Sequence, residues 1–324
     1  MDYAMVMPQP GGAEGFEKRS ITVADPGPGE VRVRHTAVGL NFLDVYHRSG
    51  TYPWAVERDL VPGSEAAGVV DALGAGVAGL KEGDRVAYTH PLNAYCTARV
   101  IPAHRLVPLP EAISDEVAAT LMLKGLTAHY LIHGSFAVAP GMAALVHAAA
   151  GGTGLILGQW LAGLGVQAIG TAGGAEKVAL ARAHGYGTVI DYRAGDFVEG
   201  VRAATDGAGV HVVYDGVGRD TWRGSLDCLR LRGALICFGQ SSGAVEGFGL
   251  ADLAKGSFSI CRPTLFHHIA DPEELRSRAA DLFAAVTSGM VRSEVSQRWP
   301  LAEVGAAHAA LEGRRTTGAT VLIP

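Results

Sequence analysis

The feature that most constrains this chain is a glycine-rich turn near its middle. An apolar run over Ala144–Ala148 breaks into Ala-Ala-Gly-Gly-Thr-Gly at positions 149–154, and a segment that we interpret as an amphipathic helix follows. Strand, glycine turn and helix form the unit that places a pyrophosphate on a helix N-terminus. Gly151 and Gly152 allow the backbone to approach a phosphate, and Gly154 allows the helix to lie close to its strand. Because an alanine replaces the first glycine of the usual G-x-G-x-x-G pattern, a plain tight turn remains an alternative.

Strands and helices alternate after this turn. The predicted strands are Val166–Gly170, Thr188–Tyr192, Val210–Asp215 and Ala234–Gly239, and the predicted helices are Glu176–His184, Phe197–Thr205 and Thr221–Leu231. This alternation predicts an α/β fold with a parallel, doubly wound sheet. Such sheets bind ligands at the carboxyl ends of their strands, where this sequence is rich in glycine and small polar residues. The pattern therefore favours a nucleotide site.

Composition limits the functions that the chain can have. Its 324 residues suit two domains, and 48% hydrophobic with 18% charged residues fits a globular enzyme. No apolar run is long enough to cross a bilayer and no secretory leader is recognisable, so we expect a cytoplasmic protein without membrane insertion. The net charge of −5 argues against nonspecific binding of nucleic acid.

Cysteine and histidine spacing predicts no metal site. The four cysteines have no C-x-x-C spacing and do not suggest a disulfide framework. Cys228, Cys237 and Cys261 lie in apolar surroundings and are interpreted as small buried residues. The pair His267-His268 has too few neighbouring ligand residues for zinc, so we interpret it as polar surface.

The two ends of the chain have a different pattern from the middle. Short strands separated by Pro/Gly turns are predicted at Val31–Thr36, Ala67–Leu73, Gly83–Tyr88 and Ala94–Ile101. A helix capped by Ser114 and continuing through Leu121, then a second helix over Gly125–Gly134, lead to the nucleotide region. After Cys261 the pattern predicts, in order, the helix Pro272–Gly289, the strand Glu294–Trp299, the helix Leu301–Glu312 and the strand Ala319–Ile323. We expect this tail to return to the first domain, which would then be discontinuous.

Motifs spread over most of the chain resemble those of one family. They are Asn-Phe-Leu-Asp-Val-Tyr at 41–46, Pro-Gly-Ser-Glu-Ala-Ala-Gly at 62–68, the turn at 148–154 and Val-Tyr-Asp-Gly-Val-Gly at 213–218. The chain resembles the NADPH:quinone oxidoreductase (zeta-crystallin-like) group of the medium-chain dehydrogenases/reductases. The resemblance implies a GroES-like catalytic domain over 1–124 and 264–324 and a Rossmann NADPH-binding domain over 125–263. It also implies a homodimer.

The same motifs bear on zinc and on the substrate. In the zinc alcohol dehydrogenase branch, a ligand cysteine lies near the position of Asn41 and a ligand histidine lies within Gly-His-Glu, where this chain has Gly-Ser-Glu at 63–65. Without a Lewis acid, alcohol oxidation at neutral pH loses its main charge stabilisation. A zinc-free interdomain cleft suits acceptors that are already electrophilic, namely quinones or conjugated carbonyl compounds.

The end of the second strand favours NADPH over NADH. An NAD-preferring fold keeps an acid there for the ribose hydroxyl, and this strand runs into Gly173 and Gly174 without one. Glu176 is interpreted as a helix N-terminal acid. Lys177, one of only five lysines, can reach towards a 2′-phosphate, although a solvated helix-face charge is the alternative. In the resembled family the matching lysine binds this phosphate, assisted by residues that match Gly173, Tyr192 and Arg314.

The resemblance places three residues of the first domain at the nicotinamide. Asn41 could hydrogen-bond the nicotinamide ribose or the acceptor carbonyl, and Tyr46 and Tyr52 offer a flat apolar body with a phenol donor for a quinone oxygen. The alternative for the tyrosines is packing at a domain junction. A reduced quinone can be protonated by solvent, so no obligate general acid is required. The remaining residues expected around the cofactor are Thr127, Gly151, Gly152, Thr153, Gly154, Val217, Phe238, Gln240, Ser241 and Leu265.

Two other functions remain open at this point. One is an NADPH-dependent reductase of the same fold acting on enone or enoyl double bonds, although a coenzyme A substrate predicts a basic entrance that the charge balance does not suggest. The other is a zeta-crystallin-like NADPH/RNA-binding role, against which the net charge and the absence of a basic aromatic-rich stripe argue.

Overall fold

The computed structural model describes residues 1–324, which form two compact units. The first unit contains Met1–Leu123, Ile269–Phe283 and Ser293–Pro324, and the second contains Lys124–His268 and Ala284–Arg292. The contacts therefore assign Lys124 and residues 264–268 and 284–292 to the second unit. The expected division into functional domains, 1–124 with 264–324 against 125–263, remains a prediction.

The first unit begins with several strands and one short helix. Up to the middle of the chain the elements are β1 Tyr3–Val6, β2 Glu17–Ser20, β3 Glu30–Gly39, α1 Phe42–Ser49, β4 Glu65–Leu73, β5 Arg85–Thr89, β6 Ala98–Pro102, β7 Val107–Pro108 and α2 Asp115–Tyr130.

Strands and helices then alternate through the second unit. They are β8 Ala143–Val146, α3 Gly152–Gly163, β9 Gln167–Ala172, α4 Ala175–Arg182, β10 Thr188–Asp191, α5 Phe197–Ala204, β11 Val210–Asp215, α6 Trp222–Asp227, β12 Leu229–Cys237, β13 Ser259–Cys261 and α7 Leu265–His268. The chain continues with α8 Pro272–Thr287, β14 Val295–Pro300, α9 Val304–Glu312 and β15 Ala319–Ile323.

The sheet of the second unit is parallel throughout. Its strand order is β10-β9-β8-β11-β12-β13, and every neighbouring pair runs in the same direction. Counted from β8, this order is 3-2-1-4-5-6, the order of dinucleotide-binding sheets, in which ligands bind where the order reverses. That reversal lies between β8 and β11, at the strand that ends in the glycine turn. The predicted α/β fold with a doubly wound parallel sheet is confirmed.

The first unit is built on a mixed sheet around β3. The strand order is β14-β15-β3-β4-β5-β7, and β6 also pairs with β3. The closing strand β15 lies antiparallel to β3, with Val321 opposite Gly39. The predicted return of the tail to the first part of the chain is therefore observed. The core of the first unit contains Val33, Tyr88 and Tyr95, none of which exposes surface to solvent.

The helix after the glycine turn is not amphipathic, in contrast to the expectation. Every residue of α3 from Gly154 to Leu161 is buried. Gly158 allows this burial, because a β-carbon there would lie 2.3 Å from the ring of Tyr186. A helix that is apolar on all faces is an interior helix, so α3 is enclosed by its own unit.

Four further expectations need correction. α2 is one continuous helix where two were predicted, because Gly125 lies within it and is tolerated at a cost of about 1 kcal/mol relative to alanine. α1 lies in the region for which the sequence predicts short strands and no helix. Cys261 is exposed on the edge strand β13, whereas Cys228 and Cys237 are buried as expected. His268 is half-buried and stacks on Tyr130 with ring centroids 4.4 Å apart, so it is not simply polar surface.

None of the helices combines the length and the apolar character that crossing a membrane requires.

Candidate functional site

The glycine turn joins β8 to α3 at the reversal of strand order. Ala148 adopts a left-handed backbone conformation with φ +56°, and its carbonyl accepts a hydrogen bond from the Gly151 amide at 2.9 Å. A β-carbon at Gly154 would lie 2.4 Å from the Ala148 oxygen, so only glycine permits the helix to start so close to its strand. Since α3 begins at Gly152, the first N–H groups of this helix have no partner within it and can receive an anion. Gly151, Gly152, Thr153 and Gly154 therefore form the turn at which phosphate binding is predicted.

A buried histidine links the strand ends beneath this turn. His147 Nδ1 lies 2.9 Å from Thr171 Oγ1, and Nε2 lies 3.0 Å from Ser225 Oγ. Ser225 in turn donates to Asp215 Oδ2 at 3.1 Å, so its oxygen accepts from His147 and the proton lies on Nε2. Burial lowers the pKa of His147, which agrees with that tautomer. The link joins the ends of β8, β9 and β11, and no sequence motif indicates it.

Asp215 organises the loop after β11. Its Oδ1 accepts from the amides of Val217 at 2.8 Å and Gly218 at 3.0 Å, and its Oδ2 accepts from Thr221 Oγ1 at 2.7 Å. The Phe238 amide donates to the Asp215 carbonyl oxygen at 2.9 Å. These bonds hold the predicted residues Val217 and Phe238 together at neighbouring strand ends.

The other predicted residues of the second unit lie around the same edge or on helices. The Ser241 amide donates to the Gly216 carbonyl at 3.2 Å, which places the loop containing Gln240 and Ser241 against the loop after β11. Thr127 is half-buried in α2, and Leu265 is buried in α7. Their contact with a cofactor remains a prediction.

The end of β9 carries the features expected for a phosphorylated ribose. No acid follows the strand directly, and Gly174 has φ +91°. A β-carbon at Gly173 would lie 2.5 Å from the Tyr192 hydroxyl, so the phenol lies against this glycine. Tyr192 is 45% exposed, and Lys177 lies in the first turn of α4, which starts next to Gly174. Gly173, Tyr192 and the first turn with Lys177 thus meet at one strand end.

In the first unit, the residues predicted to contact the nicotinamide lie on α1 or next to it: Asn41 caps the helix, Tyr46 lies within it and Tyr52 follows its C-terminus. The side-chain amide of Asn41 donates to Glu65 Oε1 at 2.8 Å. The other carboxylate oxygen of Glu65 accepts from the Leu123 amide at 2.6 Å. Asn41 is buried, so its orientation is fixed by a carboxylate that is itself held in place.

Asp44 connects α1 to a series of buried, hydrogen-bonded side chains. The carboxyl accepts from Ser64 Oγ at 2.6 Å, from Tyr95 Oη at 2.9 Å and from the backbone N–H of Asn41 at 2.9 Å. Burial raises the pKa of Asp44 to about 7, although these three donors favour the carboxylate. The side chain is fully enclosed.

This series of buried hydrogen bonds continues from Tyr95 to the surface. Tyr95 Oη lies 2.9 Å from His308 Nε2, and His308 Nδ1 lies 3.3 Å from Arg48 Nη1. Because arginine can only donate, the hydrogen bonds run from Arg48 through His308 and Tyr95 to Asp44. Burial lowers the pKa of His308 to about 3, so the imidazole is neutral as this direction requires. Arg48 is paired with Glu312 through two bonds of 2.7 and 2.9 Å.

The two predicted tyrosines are neighbours. The rings of Tyr46 and Tyr52 lie 5.2 Å apart, and the Tyr52 amide donates to the Tyr46 carbonyl at 3.0 Å. Both are half-buried, and His47 packs edge-on against Tyr52 at 5.6 Å. Arg314, the remaining predicted residue of this unit, is exposed just beyond α9 with φ +57°. The catalytic and phosphate-binding roles of these residues remain predictions.

The positions that match zinc ligands in related dehydrogenases are occupied by hydrogen-bonded residues. Asn41 is bound to Glu65, and Ser64 is bound to Asp44. No group of three or more histidine, cysteine, aspartate or glutamate side chains lies close enough together to hold a metal ion.

A GroES-like part and a dinucleotide-binding part in one chain define the medium-chain dehydrogenase/reductase class. Residues 27–139 match the family model described as "Alcohol dehydrogenase GroES-like domain", and residues 184–322 match the one described as "Zinc-binding dehydrogenase".

Known proteins similar along nearly the whole chain narrow this class. A quinone oxidoreductase of Pseudomonas aeruginosa is 49% identical over 97% of both chains, and a 2-haloacrylate reductase of Burkholderia is 44% identical over 100% of this chain and 99% of its own. The crystal structure of Escherichia coli quinone oxidoreductase complexed with NADPH superimposes with a TM-score of 0.96 and 43% identity, covering 99% of this chain and 100% of that one. The chain belongs to the quinone oxidoreductase family of the medium-chain dehydrogenases/reductases, as the motifs predicted.

Proposed function

We propose that the chain is an NADPH-dependent quinone reductase. The observation that carries this proposal is the 49% identity to a quinone oxidoreductase over 97% of both chains. The end of β9 supports the choice of cofactor, because it presents two glycines, a tyrosine hydroxyl and the first turn of a helix with a lysine where an NAD-specific fold keeps an acid.

The residues of the second unit fit a dinucleotide phosphate. A β-carbon on Gly173 would lie 2.5 Å from the Tyr192 hydroxyl, so glycine at this position lets the phenol lie against the strand end. We assign the pyrophosphate to Gly151–Gly154 and the 2′-phosphate to Gly173, Lys177 and Tyr192, with Arg314 as a further predicted contact. When bound, NADPH supplies a hydride and makes metal assistance unnecessary for an electrophilic quinone.

The predicted residues on and next to α1 would orient the substrate and supply a proton. Asn41 presents its amide from a position fixed by Glu65, which suits a hydrogen bond to a ribose hydroxyl or a carbonyl oxygen. Tyr46 and Tyr52 can donate their hydroxyl hydrogens to a quinone oxygen while their rings exclude water. Because a hydroquinone anion can take its proton from solvent, neither phenol needs to be an obligate acid.

We further propose a cytoplasmic homodimer. Four free thiols with no disulfide suit a reducing compartment. The strand β13 lies at the edge of the six-stranded sheet and exposes Ser259 and Cys261, and an edge strand can pair with a second copy. Light scattering in solution should give twice the mass of one chain, and a monomer at all concentrations would refute the assembly.

The test of the proposed activity is oxidation of NADPH against a panel of acceptors. The panel contains quinones, enones, enoyl thioesters and 2-haloacrylate, since one relative at 44% identity is a 2-haloacrylate reductase. We expect the highest kcat/KM with a quinone, and higher kcat/KM with NADPH than with NADH. Turnover of 2-haloacrylate or an enone without turnover of any quinone would replace the proposal with an alkene reductase.

A further inference from the structure

A second cationic side chain lies at the strand end that holds the predicted phosphate residues. Arg193 follows Tyr192 in the loop after β10, and it folds back over the glycine pair that ends β9. A β-carbon at Gly173 would lie 3.1 Å from Arg193 Nε, and one at Gly174 would lie 3.4 Å from Nη1. The guanidinium therefore covers both glycines, and Arg193 is not among the residues predicted for this site.

The backbone of Arg193 is fixed to the strand end by one carboxylate. Asp191 Oδ1 accepts from the amides of Gly174 and Arg193, each at 3.0 Å. The hydrogen bond from the Gly174 amide, followed by the weaker effect of the one from the Arg193 amide, lowers the pKa of Asp191. The group is therefore a carboxylate at neutral pH. The Tyr192 amide also donates to the Ala172 carbonyl at 3.2 Å. These three bonds tie the loop after β10 to the end of β9.

The position of the guanidinium suits a phosphate monoester. Arg193 is exposed at its strand end, so a ligand can reach it, and Lys177 lies in the first turn of the helix that begins beside Gly174. A phosphate monoester carries nearly two negative charges at neutral pH, which one ammonium only half balances. A guanidinium adds a planar fork that binds two phosphate oxygens, whereas a lysine acts as a point charge.

We propose that Arg193 is a specificity-determining residue that binds the 2′-phosphate of the cofactor together with Lys177. This inference rests on the proposed use of NADPH and extends it to a residue outside the predicted set. Arg193 contributes the bidentate contact and Lys177 the second charge, while Asp191 holds the loop in position.

The experiment measures binding of two fragments, 2′,5′-ADP and 5′-AMP, to the intact protein by calorimetry. The parent should bind 2′,5′-ADP more tightly than 5′-AMP. Arg193→Ala should weaken the binding of 2′,5′-ADP about 10- to 100-fold and leave the binding of 5′-AMP unchanged, because only 2′,5′-ADP carries the 2′-phosphate. Arg193→Lys should recover part of the loss, since it keeps the charge without the fork.

Arg202→Ala is the matched control. Arg202 is an exposed arginine in the last turn of α5. Because α5 leads to the start of β11, Arg202 lies towards the amino ends of the strands, opposite the ends that carry Gly173 and Arg193. It should bind both fragments as the parent does.

The possible failures are distinguishable. If the parent discriminates between the fragments but Arg193→Ala discriminates equally well, the inference is wrong and the cofactor proposal stands. If Arg193→Ala weakens both fragments equally, Arg193 is structural and the inference is also wrong. If the parent itself does not discriminate, the proposed NADPH preference and the role of Arg193 are refuted together.

Discussion

The carboxyl group of Asp44 is subject to two opposing influences. Enclosure by protein raises its pKa from 3.8 to about 7, while the Ser64 hydroxyl, the Tyr95 hydroxyl and the Asn41 amide favour its charged form. The nearby Glu65 carboxylate raises the pKa further. The balance makes Asp44 a group whose charge changes near neutral pH at the start of α1.

Asp44 should make stability depend on pH. Between about pH 4 and 7 the folded state keeps a proton that an unfolded aspartate has lost, so this contribution is fully present below pH 4 and is lost as the pH rises through about 7. Asp44→Asn cannot titrate. We therefore expect the variant, which loses hydrogen bonds at every pH, to become more stable relative to the parent from pH 5.5 to pH 8.

Urea unfolding of both proteins at pH 5.5 and 8 measures this difference. A constant difference in the free energy of unfolding at the two pH values would show that Asp44 does not titrate in this range.

Lys177→Ala should affect one cofactor only. If Lys177 binds the 2′-phosphate, the variant loses a charge-assisted hydrogen bond of about 1.5–3 kcal/mol. That loss corresponds to a roughly 10- to 150-fold lower kcat/KM with NADPH. NADH has no phosphate at this position, so its kinetics should barely change.

Two controls accompany this measurement. Lys255→Ala removes an exposed lysine of the same unit, paired with Asp227 at 3.1 Å, and should leave both cofactors unaffected. Rising salt should weaken NADPH more in the parent than in Lys177→Ala. Equal losses with NADPH and NADH in Lys177→Ala would make the lysine structural.

At the scale of the element, two glycines of the turn between β8 and α3 should have different roles, one in binding the cofactor and one in folding. Gly152 begins the helix and is half-buried, whereas Gly154 faces the Ala148 carbonyl, 2.4 Å from where its β-carbon would be. Gly152→Val should raise KM for NADPH and NADH alike and change the melting temperature little, because its side chain blocks the approach of the pyrophosphate. Gly154→Ala should instead lower the melting temperature, because a backbone atom must move.

Steady-state kinetics and thermal unfolding of the two variants distinguish these effects. Gly187→Ala is the control, since a β-carbon there meets nothing within 4 Å. Normal KM values for both cofactors in Gly152→Val would mean that the pyrophosphate binds elsewhere.

Local sequence pattern predicts some of these elements and not others. The limits of β11 and β15 agree with the prediction because each is an apolar run with β-branched residues, preceded by glycine. The helix α1 is only eight residues long and begins with a capping interaction between Asn41 and Asp44 that an all-β interpretation of the region concealed. β13 is a three-residue edge strand, too short for a periodic pattern.

The candidate site divides in the same way. The glycine turn and Lys177 can be proposed as binding residues from the sequence because each belongs to a motif of a few consecutive residues. The His147 link cannot be proposed in this way, because its partners Thr171 and Ser225 are 24 and 78 positions away and nothing local pairs them. The same holds for Tyr95 and His308, which are 213 positions apart.

At the scale of the whole molecule, the prediction concerns metal. Asn41 and Ser64 occupy the positions of zinc ligands in related dehydrogenases, and their hydrogen bonds to Glu65 and Asp44 leave no thiolate or imidazole set there. Activity with NADPH and a quinone should therefore survive exhaustive chelation, and elemental analysis should find no stoichiometric zinc. One tightly bound zinc per chain would overturn the zinc-free assignment.

The path of the chain sets an order of events during its synthesis. The first unit is left at Leu123 and regained only from Ile269, and its sheet is completed when Val321 pairs with Gly39. Nearly all of the second unit lies in one uninterrupted segment, so it can fold while the ribosome is still translating. The first unit must wait until Ile323 has emerged, and pairing of strands so distant in sequence is slow. Throughout that interval the Val38–Gly39 end of β3, beyond the residues paired with β6, lacks its partner strand, which makes the nascent first unit the part of this protein that most needs a chaperone.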